Sequence, residues 1–180
     1  MSRRALFLDR DGVINIDYGY VCKPEEFEFV EGIFELVAHA KRIDYLVVIV
    51  TNQAGIGRGY YSETEFHALT EWMKAQFIEN GGLIDAVYFC PCHPEHGIGK
   101  YRRECNCRKP APGMLLQAQC DLDIDMASSI FIGDKPSDMA AGLSAKVGTL
   151  LYLNGETADE HCLAINQISE ALPYLRYPSS

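Results

Sequence analysis

Short apolar runs that stop abruptly at charged or polar residues recur along the chain, and the stretches between them carry apolar residues at helical spacing. Arg4–Leu8 (RALFL) ends at Asp9, as a buried parallel strand ends at a turn. Ile33, Phe34, Val37 and Ala40 recur three and four apart, which predicts a helix over Ile33–Arg42. Tyr45–Val50 (YLVVIV) is the strongest strand signal. Ser62 and Glu65 have capping-box spacing and open a helix carrying Phe66, Leu69, Trp72, Met73 and Phe77, closed by Gly81 and Gly82. Ile84–Phe89 predicts a third strand, and residues 90–108 form a cysteine-rich loop. Pro112 suits the first turn of a helix running to Leu122. Ser129–Ile132 predicts a fourth strand, Asp138–Ala145 a short helix, Val147–Leu151 a fifth strand and Ala158–Leu172 a last helix. The alternation predicts an α/β fold with a doubly wound parallel sheet, in one domain spanning residues 1–180.

Polar residues follow several of these strands directly: Asp9 and Asp11, Thr51 and Asn52, and Asp134. In open parallel sheets, ligands bind at the carboxyl ends of strands, so three distant clusters are expected to meet in one crevice.

The residue types in those clusters suit phosphoryl transfer. Asp9 can attack phosphorus, and Asp11, two residues on, can protonate a leaving oxygen and later activate water. A Thr51 hydroxyl with neighbouring backbone N–H groups can hold phosphoryl oxygens. Lys109 can neutralise a transferring phosphoryl group, and Arg108 can grip a second anionic part of a substrate. Asp134 is a hard oxygen ligand suited to magnesium, and Asp138 can orient Lys109 or hold a water that touches the metal's ligands. Each cluster alone also fits an ordinary polar turn or helix cap. Together they answer a shared problem: like charges ~4 Å apart repel by roughly 4 kcal/mol at an effective dielectric of ~20. A phosphomonoester approaching Asp9 therefore needs Lys109 and a divalent cation.

Cys90, Cys92, Cys105 and Cys107 form a C-x-C-x12-C-x-C pattern. Two close pairs of soft ligands suit a tetrahedral structural zinc, with His93 or His96 able to replace one cysteine. Zinc would order the loop and hold Arg108 and Lys109. Cys22, Cys120 and Cys162 read as ordinary thiols.

Composition narrows the partners. A net charge of -9 argues against nucleic acid. No apolar run reaches the ~18 residues of a membrane helix, and Ala5–Leu8 is too short for a signal-peptide core, which leaves the cytoplasm as the expected location.

In order, these motifs resemble the haloacid dehalogenase-like phosphatase superfamily, whose signature is D-x-D, then Thr, then Lys, then G-D-x-x-x-D. The runs DRDGVIN, GYV, TNQAGIGRGY, CRKPAPGM and IGDKPSDM are similar to its branch that dephosphorylates a heptose bisphosphate during synthesis of bacterial lipopolysaccharide; the similarity extends to about Leu153. The resemblance implies a small phosphorylated sugar as substrate, a monomer without a large cap domain, Asp9 as nucleophile and Asp11 as proton donor. It further implies magnesium on the Asp9 carboxylate, the Asp11 carbonyl and Asp134, with Thr51 and Lys109 steadying the phosphoryl group. Arg108 and Lys135 match substrate contacts, and Asp17, Tyr18, Gly19, Tyr20, Thr51, Asn52, Gln53 and Ala54 align with substrate-binding stretches. Family members commonly have C-x-H where this chain has Cys92 followed by His93, so four cysteines are expected with His93 as a substitute. The alternatives are the related histidinol-phosphate phosphatases, a non-catalytic phospho-receiver and a zinc-ribbon interaction protein. Asn154–Ser180 carries no chemical motif.

Overall fold

Each predicted apolar run except the last becomes a strand of one sheet or a helix packed on it, because the sheet needs cover on both faces. The computed structural model describes residues 2–156 and 161–177. Its strands are β1 (Ala5–Leu8), β2 (Leu46–Asn52), β3 (Ala86–Cys90), β4 (Ile130–Gly133), β5 (Thr149–Leu153) and β6 (Cys162–Ile165). They form one parallel sheet in the order β3-β2-β1-β4-β5-β6. The helices are α1 (Ile33–Arg42), α2 (Ala54–Gly57), α3 (Glu63–Glu79), α4 (Gly113–Leu122) and α5 (Pro136–Ser144). One core face packs α1 and α3 residues, among them Ile33, Leu36, Val37, Leu69, Met73 and Phe77, against Leu6, Leu8, Val47 and Ile49. The opposite face packs Met114, Leu115 and Ala118 of α4 and Met139 and Ala141 of α5 against Phe7, Val48, Val50 and Phe131. Side chains at successive positions of β1 and β2 enter opposite cores, which is why those strands read as unbroken apolar runs.

The Ser62–Glu65 capping box is present, with Glu65 N donating to Ser62 Oγ at 3.1 Å and Ser62 N to Glu65 Oε2 at 2.8 Å. The helix Ile33–Arg42 keeps its expected ends, the other strand and helix ends shift by at most two residues, and α5 begins at Pro136, whose fixed φ suits a first helical turn.

The predicted helix over Ala158–Leu172 is not found. Ala158 to Glu160 lie outside the described residues; beyond them the chain forms β6 and then a 3-10 helix at Ile168–Tyr174. The open edge of β5 offers a row of backbone partners, and Cys162–Ile165 takes them in parallel register with Leu150–Leu153. Pro173 lacks the N–H that an α-helix interior requires. Among the described residues there is no large cap domain over the strand ends, and no helix is long and apolar enough to cross a membrane.

The strand order matters for the site. The direction of winding reverses at β1, between β2 and β4, and a crevice opens at such a switch point. Leu8 is in register with Ile49 on one side and Ile132 on the other. Asp9 and Asp134 follow β1 and β4 directly, and Thr51 is the next-to-last residue of β2.

Candidate active site

Asp9 leaves β1 with its N–H donating to Ile132 O at 3.2 Å, so the start of the turn is still fixed by β4. Gly12 completes the turn at φ +93°, and a Cβ there would lie 2.0 Å from Asp134 Oδ2. Only glycine meets both demands, and its absent side chain lets the Asp134 carboxylate approach the turn.

Lys109 is the centre of the charge arrangement. Its Nζ is 3.0 Å from Asp9 Oδ1 and 2.6 Å from Asp138 Oδ1, and it donates to Val50 O at 2.8 Å. Burial works against its charge, but Asp9 and Asp138 outweigh that and hold its pKa above the ordinary lysine value. Its backbone is fixed separately: Asn52 Oδ1 accepts from Lys109 N at 3.0 Å while Asn52 Nδ2 donates to Lys109 O at 3.1 Å. Asp138 also accepts the N–H groups of Asp134 and Lys135 with Oδ2, both at 3.1 Å. One buried carboxylate thus caps α5 and orients the ammonium.

Burial first, and then the carboxylates of Asp138, Asp134 and Asp11, push the Asp9 carboxyl well above its ordinary range, with Lys109 opposing. Asp134 is raised by burial and by Asp138. Carboxylate oxygens of Asp9, Asp134 and Asp138 all lie within 4.8 Å of one another, and Asp134 Oδ1 is buried without a hydrogen-bond partner among the described residues. With Asp138 committed to Lys109, Asp9 and Asp134 form a hard oxygen pair in surplus negative charge, which fits magnesium.

Asp11 points to the other side of the turn. Its Oδ1 accepts from Arg10 Nη2 at 2.8 Å and Asn15 Nδ2 at 3.1 Å, and its Oδ2 from Gln53 Nε2 at 3.0 Å. Arg10 is 2 % exposed, donates also to Val21 O at 2.8 Å and lies 5.9 Å from the Phe27 ring centroid. Tyr61 donates to Gln53 Oε1, which turns the amide nitrogen toward Asp11 and Thr51.

A cleft of about 600 Å³ opens over these groups. Asp9, Asp11, Asp17, Gly19, Tyr20, Asn52, Gln53, Ala54, Arg108, Lys109 and Lys135 line it, so most sequence-predicted residues meet there. Lys135 reaches across to Asp17, Nζ to Oδ2 at 3.4 Å. Two predicted residues are placed differently. Thr51 is fully buried beneath the floor, its hydroxyl accepting from Gln53 Nε2 at 2.8 Å. Tyr18 is 62 % exposed and turns its hydroxyl to Glu28. Sequence reasoning missed Arg10, Asn15 and Tyr61. Arg10, between two acids, reads as one more turn charge, and nothing in its spacing signals burial.

The cysteine loop leaves β3 at Cys90. Sγ atoms of Cys90, Cys92 and Cys105 lie within 4.8 Å of one another, and Cys107 closes the group. In contrast to the expected four thiolates, Cys90 and Cys107 are joined as a disulfide, with Cys92 and Cys105 free. Four sulfurs drawn to one point bring the nearest pair into contact. Arg103 Nε donates to Cys92 Sγ at 3.3 Å and Cys107 N to Cys105 Sγ at 3.4 Å, the kind of N–H support that stabilises thiolates. His93 lies outside the sulfur group; its Nδ1 accepts from Glu95 N and His96 N at 3.2 and 3.0 Å. With Cys90 and Cys107 reduced, the sulfur arrangement fits zinc through cysteine alone.

Known proteins carry the same fold and much of the same sequence. A HAD-hydrolase-like family model matches residues 106–176. A D-glycero-alpha-D-manno-heptose-1,7-bisphosphate 7-phosphatase from Burkholderia mallei is 53 % identical over 99 % of this chain and 96 % of its own. The D-glycero-beta-D-manno-heptose-1,7-bisphosphate 7-phosphatase of Vibrio cholerae is 55 % identical over 85 % of this chain and 82 % of its own. The crystal structure of D,D-heptose 1,7-bisphosphate phosphatase from B. bronchiseptica, complexed with magnesium and phosphate, superposes with a TM-score of 0.84 at 28 % identity, covering 96 % of this chain and 97 % of that one.

Proposed function

Since this chain belongs to the heptose-1,7-bisphosphate 7-phosphatase family of HAD-like hydrolases, we propose that it removes the C7 phosphate of D-glycero-D-manno-heptose 1,7-bisphosphate, leaving heptose 1-phosphate. The observation that carries this reading is the Lys109 ammonium held between Asp9 and Asp138 beneath a cleft that also contains Asp11 and Arg108.

The Asp9 carboxylate attacks phosphorus, and the bond from phosphorus to the C7 oxygen breaks as an aspartyl-phosphate forms. Asp11 serves as the general acid that delivers a proton to the departing C7 oxygen. The resulting Asp11 carboxylate takes a proton from water as that water attacks phosphorus, which releases inorganic phosphate and restores Asp9. Lys109 keeps the charge near Asp9 in balance throughout. Magnesium, held by Asp9, the Asp11 carbonyl and Asp134, would neutralise the phosphoryl oxygens while bound. Thr51 acts from below by holding the Gln53 amide in place. The cytoplasm is the proposed setting, where the product would supply a lipopolysaccharide heptose precursor, and relatives named for either anomer are similarly close.

Magnesium-loaded protein is expected to favour heptose 1,7-bisphosphate over histidinol phosphate by roughly 100-fold or more in kcat/KM, since Arg108 repels a cationic tail and binds an anionic one. Phosphate release from both esters measures this, and the reverse ranking would falsify the substrate assignment.

Zinc on Cys90, Cys92, Cys105 and Cys107 is proposed for the reduced protein. Arg108 N donates to Cys105 O at 3.1 Å and Arg108 Nη1 to Cys92 O at 3.4 Å, so the loop positions Arg108. Stripping zinc with a strong chelator is therefore expected to lower Tm and to raise KM more than it lowers kcat. Denatured holoprotein should titrate all seven thiols and contain one zinc; five thiols and no zinc would instead support the Cys90–Cys107 disulfide.

A further inference from the structure

Arg108 lines the cleft and Arg58 packs beside Tyr20, another cleft residue, and among the described residues no carboxylate is paired to either. Arg108 lines the cleft, and the partner of its guanidinium is the Cys92 carbonyl. Arg58 follows the last residue of α2, and its guanidinium lies 5.8 Å from the ring centroid of Tyr20, another cleft residue. Arg58 Nε is buried and has no hydrogen-bond partner among the described residues. Neither arginine belongs to an ion pair among the described residues.

The surroundings hold this pair in place. Tyr20 packs edge-on against Tyr60 at 4.7 Å, and a Cβ at Gly55 would come within 3.0 Å of Tyr20 Cδ1. The ring face of Tyr20 favours a cation beside it. Two partly desolvated guanidiniums without a counter-ion repel, and an anion bridging them offsets that repulsion. The cleft is therefore polarised. Asp9, Asp11 and Asp138 gather with Lys109 at the reacting end, and Arg108 on the lining, with Arg58 behind the Tyr20 ring, supplies positive charge away from it.

We propose that Arg58, with Arg108 and the Tyr20 ring, seats the second, non-reacting phosphate of a sugar bisphosphate, which makes Arg58 a specificity-determining residue. The proposal rests on the reading of the substrate as a bisphosphate. A monoester with a neutral tail leaves the arginine pair unanswered, so discrimination arises at the arginines and not at the reacting phosphorus.

The test compares kcat/KM for heptose 1,7-bisphosphate and heptose 7-phosphate, using magnesium-loaded full-length wild type, Arg58→Ala and Arg58→Lys. In Arg58→Ala the preference for the bisphosphate should fall roughly 10- to 100-fold through KM, the effect of one charge-assisted hydrogen bond. Arg58→Lys should recover part of it, keeping the charge without the planar fork. An unchanged preference overturns the proposal, and so does equal damage to both substrates, which is what a purely structural role predicts. Calorimetric binding of mannose 1-phosphate to wild type and Arg58→Ala separates this proposal from the functional reading. If neither heptose ester is turned over, the reading of the substrate fails. The arginine seat then stands if wild type binds the sugar phosphate and the variant does so at least tenfold more weakly, and falls if wild type does not bind it or both bind equally.

Discussion

Asp9→Asn is expected to give a folded protein whose phosphate release has fallen by at least about 10⁴-fold, because an amide oxygen cannot form the covalent intermediate. The fold should survive. Burial raises the Asp9 pKa well above its unfolded value, so the ionised carboxyl opposes folding at neutral pH. That opposition is absent below the unfolded pKa and complete above the folded one, and a neutral amide removes it. Lys109 keeps Asp138 at 2.6 Å and Val50 O at 2.8 Å. In metal-free buffer the variant should therefore melt no lower than wild type. Calorimetry and a phosphate-release assay read the two effects, and turnover within tenfold of wild type would remove Asp9 from the chemistry.

Lys109→Met should affect both activity and stability. Lys109 is 4 % exposed, and its ammonium balances Asp9 and Asp138 together. Removing one partner of a buried ionic group leaves uncompensated charge, with an expected loss of about 3–5 kcal/mol in urea unfolding. Losing charge stabilisation at the transferring phosphoryl group should lower kcat by roughly 10²- to 10³-fold, judged from single-donor deletions in other enzymes. Combining Lys109→Met with Asp138→Asn tests the cause. If the orphaned carboxylate is responsible, the double variant is more stable than the sum of the single losses predicts. Strict additivity, or a Lys109→Met loss below about 1 kcal/mol, would show that the ammonium is not the keystone of this cluster.

Much of this site was legible because phosphoryl transfer and parallel sheets both leave local marks. The run RALFL before Asp9 and the run ending at Gly133 before Asp134 announce strand ends, and polar residues there face the crevice of a doubly wound sheet. What stayed hidden depends on contacts across long separations, which have no periodicity. Asn52 and Lys109 are 57 residues apart, and nothing in either segment says that one clasps the other. Tyr61 reads as part of an exposed GYYS turn, yet its hydroxyl fixes the Gln53 amide. Cys162–Ile165 is a strand only because β5 offers an edge; four residues with two exposed middle positions do not separate strand from helix. Thr51 reads as a strand-end hydroxyl, but its depth under Gln53 is set by packing.

The two-way clasp between Asn52 and the Lys109 peptide has an evolutionary corollary. The cation that serves turnover is moored to the central sheet, while Arg108, one residue earlier, hangs from the sulfur loop. Recognition can therefore drift with the loop's length, sequence or metal while the reactive centre keeps its alignment, so one core can be retuned among phosphate esters without relearning how to cleave them.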